Sequence, residues 1–298
     1  MVIQTDNLTK QFKGKGGFVN ISLSVKEGEV FSLLGKNGAG KSTFIRTLLG
    51  ILHPDSGRGE ILGQSIGHIQ TRKKIGYLPE LFQYHNWLTG YELLFNHGLL
   101  YKMDKKEIKD RIEEVIEIVG LKGHEYKKIK EYSKGMKQRI GLASAILSNP
   151  KILFLDEPTS ALDPIGRKDV RDIILKLKDQ GKTIFLNTHL LSEVELVSDR
   201  VAILDKGRMK KIGTIQELLH SPVLLSIGNI NEKIINELKK VDQNIKKAGN
   251  QIEMSVYDDE LLPKIAECIV KNDGQLYMMK KKENVLEELF IKTVGEEE

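Results

Sequence analysis

Short apolar runs alternate along the first 220 residues with segments in which apolar residues recur at helical spacing. Residues 2–8 and 21–25 alternate apolar and polar side chains, which is typical of half-exposed strands. Continuous apolar runs predict buried strands at 30–34, 152–155, 183–186 and 201–204. Helices are predicted at 43–49, 91–119, 137–147, 166–178 and 191–198. This alternation favours an α/β fold with a parallel sheet between two layers of helices.

The pattern changes after Ser221 and Pro222, and the remaining residues predict a second, smaller domain. Their predicted order is strand 223–227, helix 231–241, strands 243–247 and 251–256, helix 259–271, strand 275–280 and a final helix 284–293. The βαββαβ part of this order is typical of a ferredoxin-like α+β sandwich. We therefore predict one domain at 1–220 and another at 221–298.

Composition narrows the class of protein. With 40% hydrophobic and 29% charged residues, the 298-residue chain has the profile of a globular protein with a core. The net charge is +5, and the excess of Lys and Arg lies in the large predicted domain. A modestly basic domain fits phosphate ligands or an anionic membrane surface, and equally a solvated lysine-rich surface. Cys268 is the only cysteine, which excludes a disulfide framework and favours a reducing cytoplasm. Because the chain has neither a signal-peptide pattern nor an apolar run near the roughly 20 residues that cross a bilayer, any membrane role is expected to need a partner.

A glycine-rich loop stands between the predicted strand 30–34 and the predicted helix 43–49. It matches the G-x-x-x-x-G-K-S pattern of a phosphate-binding loop with Gly35, Lys36, Asn37, Gly38, Ala39, Gly40, Lys41 and Ser42. Backbone N–H groups of such a loop surround the α- and β-phosphates, and the helix N-terminus adds positive charge. We expect Lys41 to reach the β- and γ-phosphates, Ser42 to ligate Mg²⁺ and Thr43 to contact the α-phosphate. The alternative, a chance glycine-rich turn, is disfavoured by the flanking strand and helix.

An acidic pair follows the predicted strand 152–155. Asp156 is expected to orient Mg²⁺ through its water shell, and Glu157 to act as the general base for the water that attacks the γ-phosphate. An ordinary solvated loop is the alternative. The apolar run before the pair and the turn at 158–160 favour the catalytic interpretation, and with the glycine-rich loop they predict a nucleoside triphosphatase that uses Mg²⁺.

Three further segments narrow this class to one family. Residues 132–139, YSKGMKQR, resemble the signature segment of ABC ATPases, usually written LSGGQ. Residues 160–163 resemble the D-loop of the same family, and 187–189 end in a histidine where that family has its switch histidine. Together with the glycine-rich loop and the acidic pair, these motifs occur in the family's order within residues 1–215. The chain thus resembles an ABC transporter ATP-binding subunit.

This resemblance implies an ABC cassette in which the parallel core sheet is joined by an antiparallel β subdomain and by a helical subdomain at about 90–145. It also implies that two subunits enclose two ATP molecules, and we expect a homodimer. Ser133, Gly135 and Asp163 would complete the site of the second subunit. His189 would contact the γ-phosphate and hold the attacking water. ATPase activity coupled to transport is the expected function.

Adenine is commonly held in this family by an aromatic side chain in an early loop. Phe12 stands at the matching position, where stacking on a base contributes about 1–3 kcal/mol. Two alternatives stay open: Phe12 belongs to the core, or Phe18 takes its place. We favour Phe12, because Phe18 fits the apolar alternation that leads into Ile21 and Leu23.

The signature segment departs from the usual pattern at Tyr132, Lys134 and Met136. Ser133 and Gly135, the residues that meet phosphate, are retained. Lys134 adds a positive charge near the opposing ATP, so we expect the ATPase to stay competent.

The loop that normally carries a glutamine ends here in Glu80. A glutamate accepts a hydrogen bond or approaches Mg²⁺, but in its ionised form it donates none. The Gly-Tyr-Leu-Pro-Glu version of this loop is familiar in ABC exporters whose membrane subunits are separate chains. Residues 283–290 resemble the closing segment of many bacterial export ATPases, so both features favour an exporter motor over an importer motor.

The predicted partners are an integral-membrane transporter subunit and a second ATPase subunit, with the chain peripheral on the cytoplasmic face of the membrane. Phe82, Tyr84 and Trp87 would dock the membrane subunit or, alternatively, pack on the core. A soluble ABC ATPase that acts on ribosomes or nucleic acid is a second candidate. Such proteins usually carry two cassettes or long coiled coils, whereas this chain has one cassette and no sustained heptads. No nucleic acid partner is therefore expected.

Overall fold

The computed structural model describes residues 1–13, 16–160, 162–218, 222–256, 260–281 and 285–295. It forms two compact units, Met1–Gly213 and Thr214–Glu298. This boundary precedes the composition change at Ser221, because the short helix Ile215–Leu218 belongs to the second unit. Among the described residues, none of the helices has the length and apolar character that crossing a bilayer demands.

Two sheets organise the first unit. Their strands are β1 (Ile3–Gln11), β2 (Gly17–Val25), β3 (Val30–Leu34), β4 (Ser56–Ile61), β5 (Gln64–Ser65), β6 (Ile75–Leu78), β7 (Ile152–Asp156), β8 (Thr183–Thr188), β9 (Arg200–Asp205) and β10 (Arg208–Thr214). One sheet has the order β10-β9-β3-β8-β7-β6 and is parallel from β9 to β6. The other is antiparallel, in the order β2-β1-β4-β5. Because β3, β7 and β8 are buried along their whole length, the apolar runs of the sequence occupy the middle of the parallel sheet.

Helices connect and flank these strands: α1 (Lys41–Leu48), α2 (Ile69–Arg72), α3 (Gly90–Leu100), α4 (Lys105–Ile118), α5 (Lys134–Ile146), α6 (Pro164–Asp179) and α7 (Leu191–Val197). The prediction of one continuous helix at 91–119 is wrong, since α3 and α4 are separate. Asp104 begins α4 by accepting a hydrogen bond from the backbone N of Lys106 at 2.8 Å. A Cβ on Gly98 would lie 2.6 Å from Ile108, so the two helices approach closely at this glycine. The apolar spacing continues across the turn, and for that reason the pattern alone did not reveal the break.

The second unit contains α8 (Ile215–Leu218), β11 (Pro222–Gly228), α9 (Glu232–Val241), β12 (Lys246–Ala248), β13 (Gln251–Ser255), α10 (Leu261–Lys271), β14 (Gln275–Lys281) and α11 (Val285–Gly295). The predicted βαββαβ order is present, in an antiparallel sheet ordered β12-β13-β11-β14. Its core is formed by apolar side chains that include Val223, Leu225, Ile234, Ile252 and Ile265. Residues 259, 283 and 284, where predicted segments begin, lie outside the described residues. The ferredoxin-like assignment stays a prediction.

Candidate nucleotide-binding site

The glycine-rich loop joins the C-terminal end of β3 to the N-terminus of α1, as the sequence predicted. A cavity of about 420 Å³ opens beside it, within the size range of small-molecule sites. The cavity is lined by Phe12, Gly16, Gly17, Asn37, Gly38, Gly40, Lys41, Ser42, Thr43, Glu80 and Glu157. Gly35, Lys36 and Ala39 belong to the loop without lining the cavity, and the backbone N of Ala39 donates to the carbonyl of Lys36 at 3.1 Å.

Gly40 is the residue that the loop most clearly requires to be glycine. It precedes α1 with a φ of 101°, a conformation that side chains with a Cβ rarely adopt. A Cβ at this position would also lie 2.3 Å from the carbonyl oxygen of Gly17. The loop therefore passes directly against the β1–β2 hairpin.

Lys41 is buried at the start of α1. Its Nζ donates to the carbonyl oxygens of Gly35 at 2.8 Å and Lys36 at 3.3 Å, and lies 3.7 Å from Oε1 of Glu157. Burial lowers the pKa of Lys41, and the nearby carboxylates of Glu157 and Asp156 oppose this shift. The ammonium group is thus turned toward its own loop, and it must change partners to reach a phosphate.

Asp156 lies at the end of β7 beside Ser42 and Asn187. The Ser42 hydroxyl donates to Oδ1 of Asp156 at 3.2 Å, and the Asn187 amide donates to the same oxygen. The second oxygen, Oδ2, is buried and has no hydrogen-bond partner among the described residues. Burial raises the pKa of Asp156, while the hydrogen bonds from Asn187 and Ser42 lower it.

These oxygen atoms fit Mg²⁺ as a partner. Mg²⁺ prefers oxygen ligands, keeps several waters and is usually held by one or two protein groups together with substrate phosphates. The free Oδ2 of Asp156 and the Ser42 hydroxyl supply such groups. Ser42 and Glu80 line the cavity, whereas Asp156 does not line it and contacts Ser42. No group of three or more His, Cys, Asp or Glu residues in the described part of the chain is arranged to hold a metal by itself.

Glu157 follows Asp156 in a left-handed conformation with a φ of 50°, which is uncommon outside glycine. Its backbone N donates to the carbonyl of Asn187 at 2.8 Å. Oε2 of its carboxylate lies 2.8 Å from Nδ1 of His189, and the residue is only 6% exposed. The turn after β7 thus directs a carboxylate toward the histidine that follows β8.

The two candidates for adenine binding differ in position. Phe18 is fully buried and packs edge-to-face on Phe44, with ring centroids 5.1 Å apart. Phe12 is 44% exposed and lines the cavity. Phe18 is therefore a core residue, and of the two only Phe12 lies where a base could stack.

Ser133, Gly135 and Asp163 do not line the cavity. Ser133 caps α5 and accepts from the backbone N of Met136 at 3.2 Å, while Asp163 caps α6 and accepts from Gly166 at 2.8 Å. Both capping residues are exposed. Residue 161, between these segments, lies outside the described residues.

Two contacts were missed by sequence reasoning. Asn187 was noted only as a neighbour of His189, although its amide binds Asp156. Asn187 lies near the end of a strand next to β7, and this position was the feature that could have indicated the contact with Asp156. Tyr132 was treated only as a departure from the signature pattern, yet it is buried and its hydroxyl donates to the carbonyl of His124 at 2.8 Å.

The three aromatic residues of the loop after β6 separate into two groups. Phe82 and Tyr84 pack against the core of the first unit. Trp87 is 67% exposed and stacks on His85, with ring centroids 4.4 Å apart. Only Trp87 of the three is thus available for docking.

A glycine-rich loop and an acidic strand end on a parallel sheet define a P-loop ATPase, and the added antiparallel sheet and helical subdomain define the ABC cassette. The family described as ABC transporter matches residues 18–160. The Synechocystis protein named as uncharacterized ABC transporter ATP-binding protein sll0415 is 47% identical over 67% of this chain, which spans 57% of that relative's length. YhcH of Bacillus subtilis, similarly named, is 35% identical over 99% of this chain and 96% of its own. The linearmycin resistance ATP-binding protein LnrL, also of Bacillus subtilis, is 33% identical over 99% of this chain and 98% of its own length.

Solved structures agree with these relatives. CbiO1 of Clostridium perfringens, part of the ABC transporter complex cbiONQ, has a TM-score of 0.67 and 26% identity, covering 90% of this chain and 98% of its own. A dimeric post-hydrolysis state of the cassette MJ0796 bound to ADP and Pi has a TM-score of 0.64 and 26% identity. It covers 72% of this chain and 98% of its own. The chain therefore belongs to the family of ABC transporter ATP-binding proteins, the ATP-hydrolysing motor subunits of ABC transporters.

Proposed function

We propose that this chain powers export, working as a pair of identical subunits on the cytoplasmic face of a membrane beneath a separate integral-membrane subunit. The observation that carries the motor function is the Glu157 carboxylate, held between Lys41 and His189 at the edge of the glycine-rich loop. The residue roles below rest on that arrangement.

Nucleotide binding uses the loop and the β1–β2 hairpin. The backbone N–H groups from Gly35 to Gly40 surround the α- and β-phosphates, and Thr43 contacts the α-phosphate. Lys41 leaves the carbonyl oxygens of its own loop and binds the β- and γ-phosphates. Adenine stacks on the half-exposed ring of Phe12.

The Ser42 hydroxyl, Asp156 and Glu80 would hold Mg²⁺. When bound, the ion neutralises charge on the β- and γ-phosphates. Asn187 fixes one carboxylate oxygen of Asp156, which leaves Oδ2 for the ion or its water shell.

Hydrolysis uses Glu157 as the general base. The attacking water passes a proton to the carboxylate as its oxygen bonds to the γ-phosphorus, and the bond from that phosphorus to the bridging oxygen of ADP breaks. His189 orients the carboxylate from one side through Oε2, and it contacts the γ-phosphate once that group enters. Release of Lys41 to the phosphates frees Oε1 for the water.

A second copy completes each site. Ser133 and Gly135 present a hydroxyl and backbone donors at the N-terminus of α5, and Asp163 is exposed at the start of α6. None of them lines the cavity of its own subunit. Docking against the nucleotide of a partner copy gives all three a function, so ATP binding closes the dimer and hydrolysis reopens it.

The direction of transport is supported by Glu80, by residues 283–290 and by the relative named for linearmycin resistance, since resistance through a pump requires that the toxic compound leaves the cell.

Trp87 and Leu81, 67% and 88% exposed, supply the apolar docking surface for the membrane subunit. We assign the C-terminal unit a regulatory or dimer-stabilising role.

Nucleotide binding is tested with Lys41→Ala. Removing the buried ammonium is expected to weaken ATP binding by roughly tenfold or more, measured by calorimetry, because a charge-assisted contact to phosphate is lost. Lys105→Ala removes an exposed lysine at the start of α4 and serves as the control. Unchanged ATP affinity in Lys41→Ala would overturn the site assignment.

Partner and direction are tested in cells. The tagged chain is expected to retrieve a polytopic membrane protein from solubilised membranes, and Trp87→Ala to retrieve less of it than Ile51→Ala, which truncates another exposed apolar side chain. Recovery of ribosomes or DNA would favour a soluble ABC ATPase. A strain that lacks the chain is expected to become sensitive to toxic compounds, whereas loss of nutrient uptake would indicate import.

A further inference from the structure

Among the residues that the structure describes, the end of β1, which leads into Phe12, has no partner strand on one side. β1 pairs with β4 only as far as Thr9, which lies opposite Ser56, the first residue of β4. On the other side the pairing with β2 continues to Gln11. The last part of β1 therefore runs past the end of the β4 ladder, directly before the residue expected to stack on adenine.

Asp55 continues that ladder with its side chain. Its backbone N donates to the carbonyl of Thr9 at 2.8 Å, in line with the pairing of β4. Oδ2 of its carboxylate then accepts from the backbone N of Gln11, and Oδ1 accepts from Nζ of Lys10, both at 2.7 Å. The pKa of Asp55 is held below its usual value, mainly by the hydrogen bond from Gln11 and secondly by the hydrogen bond from Lys10. The carboxylate thus takes the place of a strand for the backbone N of Gln11, and it also forms an ion pair with the side chain of Lys10.

Lys10 links this carboxylate to the aromatic ring. Its Nζ lies 5.8 Å from the ring centroid of Phe12, within the range of a cation–π contact. Phe12 itself is 44% exposed, and its backbone N is 3.4 Å from the carbonyl of Gly16. Among the described residues, the ring of Phe12 belongs to none of the hydrophobic core clusters, and Lys10 and Gln11 precede it directly in the chain.

We propose that Asp55 is a positioning residue for the nucleotide base: it fixes Lys10 and Gln11 so that the ring of Phe12 is preorganised to stack on adenine. This inference rests on the proposed role of Phe12. Preorganisation lowers the entropy that binding must otherwise remove, so Asp55 raises affinity for a ligand that carries a base. A ligand made of phosphates alone gains nothing from it.

Binding of ATP and of inorganic tripolyphosphate, measured by calorimetry, tests the base dependence. Asp55→Ala is expected to weaken ATP binding roughly threefold to tenfold, the range for loss of one or two surface hydrogen bonds, and to leave tripolyphosphate binding unchanged. Asp55→Asn keeps an acceptor for Gln11 but loses the charge that holds Lys10, so it is expected to fall between wild type and Asp55→Ala. Equal weakening of both ligands would overturn the proposal.

Asp6→Ala is the matched control. Asp6 is paired with Arg58 at 3.1 Å on the same antiparallel sheet, and its side chain is 49% exposed against 45% for Asp55. Asp6→Ala removes a comparable surface ion pair, and the substitution leaves the hydrogen bonds of Lys10 and Gln11 to Asp55 in place. A loss of ATP affinity in Asp6→Ala equal to that in Asp55→Ala would show a general effect on the sheet and contradict the proposal.

A double-mutant cycle tests whether Asp55 acts through the ring. Phe12→Ala is expected to weaken ATP binding, and adding Asp55→Ala to it to cause no further loss. Additive losses would overturn the positioning role. No effect of Phe12→Ala would overturn both this inference and the stacking assignment, while the result of Lys41→Ala would still decide the phosphate site separately.

Discussion

Oε2 of Glu157 lies 2.8 Å from Nδ1 of His189, although the two residues are 32 positions apart in the chain. The other carboxylate oxygen, Oε1, lies 3.7 Å from Nζ of Lys41, and Glu157 itself is almost fully buried. Contacts on both sides fix the orientation of this carboxylate between the histidine and the lysine. This is the arrangement that a general base next to a γ-phosphate requires.

Glu157→Gln is expected to bind ATP but to lose turnover by roughly a hundredfold or more, because an amide does not accept the proton of the attacking water. The variant should accumulate as a closed dimer in the presence of ATP. Phosphate release and size-exclusion chromatography measure the two effects. Normal turnover would remove Glu157 as the base.

Gly40→Ala is expected to destabilise the fold more than Gly38→Ala. Both glycines have a positive φ, 101° and 83°, which costs a residue with a Cβ about 1–2 kcal/mol. Only at Gly40 would the Cβ also meet the carbonyl of Gly17, at 2.3 Å, whereas nothing lies within 4 Å of a Cβ on Gly38. Overpacking of this kind adds about 1–3 kcal/mol. Urea unfolding compares the two variants, and equal losses would contradict the close contact between the loop and the hairpin.

Ser133→Asp separates the local and the dimeric role of this residue. Aspartate is as good an N-cap as serine, so the free energy of unfolding is expected to change by less than about 0.5 kcal/mol. The added negative charge would repel the phosphates of the nucleotide on a partner copy. We therefore expect ATP-dependent dimerisation to be lost in the Glu157→Gln background, as measured by light scattering. Dimerisation at the wild-type level would argue against a phosphate at the N-terminus of α5.

Tyr84 makes stability sensitive to alkaline pH. Burial raises its pKa to about 12, and a hydrogen bond with Ser144 opposes the shift. In the unfolded chain the Tyr84 hydroxyl ionises near pH 10. Its contribution to the free energy of unfolding is therefore complete below pH 10 and is lost as the pH rises toward 12. Between pH 10 and 11 the free energy of unfolding should fall by about 1 kcal/mol more in wild type than in Tyr84→Phe. Tyr126→Phe, which removes an exposed hydroxyl, is the control, and identical pH profiles for all three proteins would contradict the prediction.

Much of the site could be predicted from sequence because its parts are contiguous. The glycine-rich loop from Gly35 to Ser42 and the acidic pair Asp156 and Glu157 each follow a buried strand. In a parallel sheet, the carboxyl ends of such strands lie along one edge. The alternation of strands and helices therefore predicted that these segments lie near one another.

Contacts between distant segments were not predictable in the same way. Asn187 binds Asp156 because β8 pairs with β7 in a register that opposes these two residues. The close approach of α3 to α4 at Gly98 is another contact that apolar spacing does not record.

By itself, the sequence determined the class of fold and the order of the motifs and marked the candidate phosphate-binding residues, because these follow from local spacing and hydrophobic periodicity. The sequence favoured Phe12 over Phe18 for the base, and the tertiary structure decided the choice, since Phe12 lines the cavity whereas Phe18 is fully buried. It also decided that Asp55, 44 residues from Gln11, holds the strand before Phe12. Such relationships depend on where a neighbouring strand ends and on what its side chains reach, and strand pairing sets both only after the sheet has formed.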